Sequence, residues 1–325
     1  MVAHMAYYLV HGGCLRSEVE FPELPLGEPG VSEWTLRVAE ELPLLGDASF
    51  LGEEPLIDGV TARLQRGANS FRLAFEDTGT FDVSPDGTVI FWKPAPDSPA
   101  APPLELVRAD VTGRVLALAI HAAGGMCLHA SSVAIGGSAI AFVGAKGRGK
   151  TTLALALVAE GARLLSDDTL RVDLTQPPQA APGLPTMRVA NDVADRFDRR
   201  ALTTPESDGG TKLALSGLAP HELMTMRAPL SAVYVLSPVP ADPGRPAVRR
   251  RELTSVEAAL ALVHHAKLAA LLGRGEAPAL LMRASTLART VPVYALDVSR
   301  DLSRAGEVAR QLAQWHAASG PEAEQ

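Results

Sequence analysis

The chain has 325 residues, 47% of them hydrophobic and 21% charged, which is enough for one large core or two domains and excludes a disordered chain. With 30 basic and 37 acidic residues the net charge is −7, which disfavours a general nucleic-acid binder but leaves room for a local basic groove. Only two cysteines, Cys14 and Cys127, are present, so no disulfide framework supports the fold; no apolar stretch reaches membrane-spanning length without a charge or a Gly/Pro break, and a cytoplasmic location away from membranes is expected.

The first 100 residues are β-rich by pattern. Phe71 to Phe75 and Thr80 to Val83 alternate, Asp86-Gly87 is a hairpin turn signal, and Val89 to Trp92 is its partner strand. A Pro/Ala-rich stretch from Pro94 to Pro103 reads as a linker. Leu104 to Ala123 reads as a helix, with Leu106, Val107, Val111, Val115, Leu116 and Leu118 apolar. Met126 to Ile135 reads as a strand, Gly136-Gly137 as a two-residue hairpin, and Ala139 to Val143 as a second strand antiparallel to the first.

That second strand runs into Gly144-Ala145-Lys146-Gly147-Arg148-Gly149-Lys150-Thr151, which matches the P-loop pattern G-x-x-x-x-G-K-[ST] at every fixed position. Thr152 to Glu160 follows as a helix, so the octet has the strand, loop and helix context it needs. Glycines let successive N–H groups point inward at phosphate oxygens, and the helix adds its positive N-terminal end. Lys150 is expected on the β- and γ-phosphates and the Thr151 hydroxyl on Mg²⁺. Lys146 and Arg148 make the loop more basic than its glycines require, either as extra charge near the γ-phosphate or as solvated side chains.

Gly161 stops the helix, Ala162 to Leu165 reads as a short strand, and Ser166-Asp167-Asp168 ends it. Adjacent carboxylates are costly when buried, because each raises the other's pKa; beside Mg²⁺ and a nucleotide the pair becomes useful, one holding the metal and the other accepting the proton of an attacking hydroxyl. Antiparallel pairing of the P-loop strand with its predecessor argues against a GTPase-like or transporter-ATPase-like domain, where the neighbours are parallel. Further on, Asn191 to Arg200 reads as a charged, solvated helix and Arg249-Arg250-Arg251 as a basic strand end. Thr254 to Leu272 reads as a helix with Glu257 in its first turn, carrying His264 and His265 as ordinary helix residues, and Asp301 to His316 as a closing helix with a frayed tail.

The string from Leu128-His129-Ala130-Ser131 through the octet and Thr152 to Leu164-Leu165-Ser166-Asp167-Asp168 resembles the HPr kinase/phosphorylase family and its wider set of HPr-kinase-related proteins. Flanking segments, Leu15 to Glu18 with Phe21 to Leu24, Pro229 to Leu236 and Val291 to Leu296, are similar to related kinases found beside lasso-peptide biosynthetic genes. The resemblance implies an α/β fold: a P-loop kinase domain of the HPr kinase/phosphoenolpyruvate carboxykinase type with mixed sheets at 101–325, preceded by a smaller β-rich N-terminal domain at 1–100 that presents substrate or mediates oligomerisation. It implies ATP and Mg²⁺, with Asp167 as general base, Asp168 near the metal alongside Thr151, and His129 beside the acidic pair tuning its protonation. The glycine-rich loop and signature segment with which true HPr kinases grip HPr are not found; Gln176 to Pro185 and Ser207 to Lys212 stand there instead. The expected reaction is therefore γ-phosphoryl transfer to a serine hydroxyl of a peptide or small molecule rather than of HPr. A nucleotide sensor without transfer and a carboxykinase-like enzyme on a small acid are the alternatives, and a homo-oligomer stays open.

Overall fold

The computed structural model describes residues 5–56, 59–95, 103–205, 212–240, 242 and 244–317. Most of the expected linker, Ser207 to Thr211 and the tail past residue 317 lie outside the described residues. The architecture is mixed α/β with several sheets, and the chain divides into two compact units, Met1–Cys127 with Ala266–Arg283 and Leu128–His265 with Ala284–Gln325.

In the first unit eight strands form one sheet: β1 (Ala6–Val10), β2 (Gly13–Ser17), β3 (Trp34–Val38), β4 (Ser49–Pro55), β5 (Thr61–Arg66), β6 (Phe71–Phe75), β7 (Gly79–Val83) and β8 (Val89–Lys93). Their order is β1-β2-β3-β8-β7-β6-β5-β4, with β3 parallel to both its neighbours and the other pairs antiparallel. Alternation puts Phe71, Leu73 and Phe75 on the buried face of β6. There Phe75 meets Phe81 edge-on and Phe81 stacks on Trp92, whose indole N–H donates to the Thr78 carbonyl. Gly87 turns β7 into β8 at φ +75°, and a Cβ there would lie 2.0 Å from the Ala119 carbonyl oxygen, so the turn accepts only glycine.

The expected helix at 104–123 is present as α1 (Leu104–Asp110) and α2 (Leu116–Ala122), joined by a π-turn at Val111–Val115. The His11 ring N–H donates to the Thr112 carbonyl within that turn. The sequence reading of Thr254 to Leu272 as one helix is corrected. Helix α5 (Ser255–His264) ends at His265, and α6 (Ala269–Thr290) begins four residues later and kinks at Gly273, where a Cβ would lie 1.8 Å from the Leu51 carbonyl oxygen. In α6 the buried Glu276 carboxylate takes the Arg66 guanidinium and the His121 ring N–H. Arg283 donates to the other His121 nitrogen, and burial together with that guanidinium holds the imidazole's pKa down.

In the second unit the expected single strand at 126–135 is broken at His129 into β9 (Met126–Leu128), which enters the unit, and β10 (Ala130–Ile135). Strand β11 (Ser138–Val143) pairs antiparallel with β10 across Gly136-Gly137, as the hairpin signal predicts. Strands β12 (Arg163–Ser166), β13 (Leu170–Asp173), β14 (Gln179–Ala180) and β18 (Ala228–Val239) complete a sheet in the order β12-β10-β11-β18-β14-β13. Strand β11 is parallel to β18, and β18 is parallel to β20 (Val293–Ser299), which also pairs with β19 (Val248–Glu252). A smaller sheet holds β15 (Met187–Ala190), β17 (Lys212–Leu215) and β16 (Thr203–Pro205) in that order.

Helix α3 (Lys150–Ala159) is buried from Leu153 through Val158, so it is enclosed on every side rather than amphipathic. Its three buried leucines contribute about 1.5–3 kcal/mol each by leaving water. The other helices here are α4 (Asn191–Arg196), shorter than expected, and α7 (Ala305–Ala317), which packs on α3. Among the described residues no helix is long and apolar enough to cross a membrane.

The arginine cluster on β19 is partly spoken for. The Arg250 guanidinium lies 4.9 Å from the Tyr294 ring and 4.3 Å from the Trp315 ring, and donates to the Tyr234 hydroxyl; that hydroxyl lies 2.7 Å from His316 Nε2. With Arg250 donating, Tyr234 donates onward to a neutral imidazole. Burial, then the Arg250 charge, lowers the His316 pKa from 6.5 to about 4. Between those values the unfolded chain holds a proton that the fold refuses, so this part of the stability is complete above pH 6.5 and lost as pH falls toward 4. The urea midpoint is expected to drop between pH 7 and pH 4.5, and His316→Gln, whose amide oxygen still accepts from Tyr234, should shrink that drop; an unchanged drop would refute the assignment.

Candidate active site

The glycine-rich octet sits between β11 and α3, as its pattern requires. Gly144, Gly147 and Gly149 all have positive φ, and Gly149 is the left-handed residue just before Lys150 begins the helix. A Cβ on Gly147 or Gly149 would meet nothing, so these glycines serve the backbone path and an open concavity rather than packing. Ala145, Lys146 and Arg148 are exposed, while Lys150 is only 8% exposed and donates to the Gly144 carbonyl at 2.8 Å. The loop thus folds its own ammonium inward, above the first turn of a ten-residue helix.

Next to the loop, β12 delivers Asp167. Its side chain is 6% exposed and carries three donors: the Ser131 hydroxyl and the Thr151 hydroxyl, at 2.5 and 3.0 Å on Oδ1, and the Arg188 backbone N–H at 3.0 Å on Oδ2. The contact with Thr151 ties the acidic pair to the octet. Burial is the strongest influence and raises the Asp167 pKa; the three hydrogen bonds oppose it and the neighbouring Asp168 charge adds to it.

Asp168 faces elsewhere. It sits at φ +69°, an uncommon conformation that aspartate tolerates. The turn is held by the Ser166 hydroxyl donating to the Thr169 carbonyl and by the Thr169 N–H donating to the Asp167 carbonyl. Gly183 packs so closely on Ser166 that a Cβ there would lie 2.2 Å from its Oγ. His129, at the break between β9 and β10, places Nδ1 3.2 Å from Asp168 Oδ1 and 3.1 Å from the Asp168 carbonyl oxygen. Both side chains are more than a third exposed, at 39% and 38%. A ring N–H at Nδ1 donates into this pair of oxygens, which leaves Nε2 as the nitrogen able to take a proton.

Of the residues expected from sequence, Lys150, Thr151, Asp167, Asp168 and His129 are linked through these contacts into one region. Thr152 is partly buried in the first turn of α3. Three contributors carried no signal of their own. Ser131 holds Asp167 through a hydroxyl in an apolar strand, and Arg188 contributes a backbone N–H that any residue but proline supplies. His265, read as an ordinary helix residue, leaves α5 there, and its carbonyl accepts the His129 N–H at 2.8 Å. Burial first, then the charges of His264, Lys150 and His129, bring the His265 pKa down to about 4.

The donor set suits a hard divalent cation. A hydroxyl and a carboxylate lie 3.0 Å apart beside the glycine-rich loop, a sparse oxygen set of the kind Mg²⁺ accepts when phosphates supply the rest. Among the described residues no group of three or more His, Cys, Asp or Glu side chains forms an all-protein metal cage.

No protein-family model matches the chain, and no curated protein matches it. Among solved structures it is similar to the Hpr(Ser) kinase/phosphatase from Coxiella burnetii, at 14% identity and a TM-score of 0.31 over 59% of this chain and 96% of that one. A likeness this loose carries no argument about chemistry.

Asp167→Asn tests how the buried carboxyl is held. An asparagine oxygen still accepts from the Arg188 N–H, and both hydroxyls can turn to accept from its amide, while the cost of burying a charge disappears. The melting temperature of the ligand-free variant at pH 7.5 is expected to equal or exceed that of the wild type, read by calorimetry. A fall of about 3–6 °C, roughly what a 2–4 kcal/mol defect produces in a chain this long, would mean the ionised carboxylate is a structural need.

Proposed function

We propose that the chain is an ATP-dependent phosphotransferase that moves the γ-phosphoryl group to a hydroxyl of a peptide or small molecule. The observation that carries this reading is the hydrogen bond from Thr151 of the phosphate-binding loop to the buried Asp167 carboxylate, with the His129–Asp168 pair in the same turn.

The contacts favour a division of labour opposite to the one the family resemblance implies. Asp167, bound to the Thr151 hydroxyl, would hold Mg²⁺ together with Thr151; when bound, that ion neutralises charge on the phosphate oxygens. Lys150 would exchange the Gly144 carbonyl for phosphate oxygens, a move within reach of its long side chain. Asp168 would fix the imidazole of His129 through Nδ1, so that Nε2 takes the proton of the attacking hydroxyl, the arrangement by which a carboxylate orients a histidine base. The exposure of that pair suits an acceptor arriving from solvent. Phosphoryl transfer needs positioning and charge stabilisation more than covalent help, and loop amides, one lysine and one hydroxyl–carboxylate pair supply both.

The competing reading is a nucleotide sensor, which would keep the loop and need no base. Binding of Mg·ATP and transfer of labelled phosphate to candidate hydroxyl acceptors, measured on Asp168→Asn and His129→Gln, separate the two. Both variants should bind Mg·ATP within about threefold of wild type and lose transfer by roughly 10²–10⁴-fold. Wild-type protein that binds Mg·ATP but transfers no phosphate to any acceptor, with both variants indistinguishable from it, would favour the sensor.

A further inference from the structure

The second unit holds a cavity of about 360 Å³ beside the octet, and none of the five residues given roles at the terminal phosphate in the phosphotransferase reading lines it. The loop contributes Gly147, Arg148 and Gly149, and α3 contributes Thr152, the residue after Thr151. Lys150, Thr151, Asp167, Asp168 and His129 are not among the lining residues. In a loop of this kind the amides hold the α- and β-phosphates while the lysine and hydroxyl lie toward the γ end. The cavity therefore opens at the other end of the phosphate run.

From this we infer that the cavity is the nucleoside site, taking the base and sugar of the triphosphate; the inference rests on the phosphotransferase reading above. Its chemistry fits. Leu153, Val193, Leu236, Pro238, Val298 and Leu302 give apolar walls drawn from α3, α4, β18, β20 and the turn before α7, suited to the flat faces of a base. Asp192 and Asp301 line the same space. Each uses Oδ1 on a nearby backbone N–H, of Val193 and Ser303 respectively, so each carboxylate is held in place and presents a second oxygen to donors such as sugar hydroxyls or a base N–H. The volume lies in the range of small-ligand sites. The acceptor substrate is a poorer occupant, because its hydroxyl must reach the His129–Asp168 pair, which does not line the cavity.

Affinities for Mg·ATP and for Mg·tripolyphosphate, which has the phosphates and no nucleoside, test this directly on the full chain. Wild type should bind ATP at least tenfold more tightly than tripolyphosphate. Ala305→Trp, which fills the cavity from α7, should bring ATP down to the tripolyphosphate level while tripolyphosphate stays within twofold. Leu302→Asp, which puts a charge on the apolar wall, should act the same way and guards against a variant that simply misfolds. Photolabelling of wild type with 8-azido-ATP should mark peptides containing residues 192–193 or 298–302. Equal wild-type affinity for the two ligands, ATP binding untouched by both variants, or label found only elsewhere would each overturn the nucleoside site. Failure of wild type to bind either ligand would instead remove the phosphotransferase reading and this inference with it.

Discussion

One hydrogen bond organises the second unit: the Thr151 hydroxyl on the Asp167 carboxylate, a contact between the first turn of α3 and the end of β12. Everything around it is arranged to keep an acid buried. Ser131 on β10 and the Arg188 amide on β15 supply two more donors, so four separate elements meet at one carboxyl group. Burial pushes the pKa of this carboxyl up, and its three neutral donors only partly offset the cost of desolvating the charge.

The sheet explains why those elements converge. Strand β11 has an antiparallel neighbour, β10, on one side and a parallel one, β18, on the other. The hairpin brings β10 back along β11, so that Ser131, one residue into β10 and paired with Phe142, sits level with the end of the strand that launches the loop. Strand β12 then pairs antiparallel with β10 and ends at the acidic pair, with Ser166 opposite Ser132. Helix α3, enclosed by apolar contacts on all sides, holds Lys150 and Thr151 rigidly against this corner. The break at His129 turns that residue out of the strand toward Asp168, and the unwinding of α5 at His265 supplies the carbonyl that accepts its N–H.

The loop and its flanks were legible in the sequence because their requirements are local: glycine for positive φ, lysine and threonine at fixed positions, two glycines to turn a hairpin. The acidic pair stands out in the sequence by residue type, but its geometry does not. Nothing in Ser166-Asp167-Asp168 says which carboxylate faces Thr151 and which faces outward; that follows from the left-handed φ of Asp168, a tertiary outcome. The break at His129 was hidden because Met126 to Ile135 holds no glycine or proline to mark an interruption, and the end of α5 because the residues from Thr254 to Leu272 all suit a helix. The order of the N-terminal sheet, with β3 parallel between β2 and β8, depends on pairing Leu15 with Trp34 and Thr35 with Val89, positions well apart in the chain, which periodicity does not encode. Arg188 was invisible for the simplest reason, since its contribution to Asp167 is a main-chain amide.

The central claim is that Thr151 and Asp167 mark the metal-bearing, terminal-phosphate end of a nucleotide site. Anomalous scattering from Mn²⁺ in crystals grown with a non-hydrolysable ATP analogue tests it most directly. The account predicts a single Mn²⁺ peak at the Thr151 hydroxyl beside Asp167, with the last phosphate of the analogue turned toward His129 and Asp168. A peak away from both residues, or an analogue whose terminal phosphate points away from the acidic pair, would contradict it.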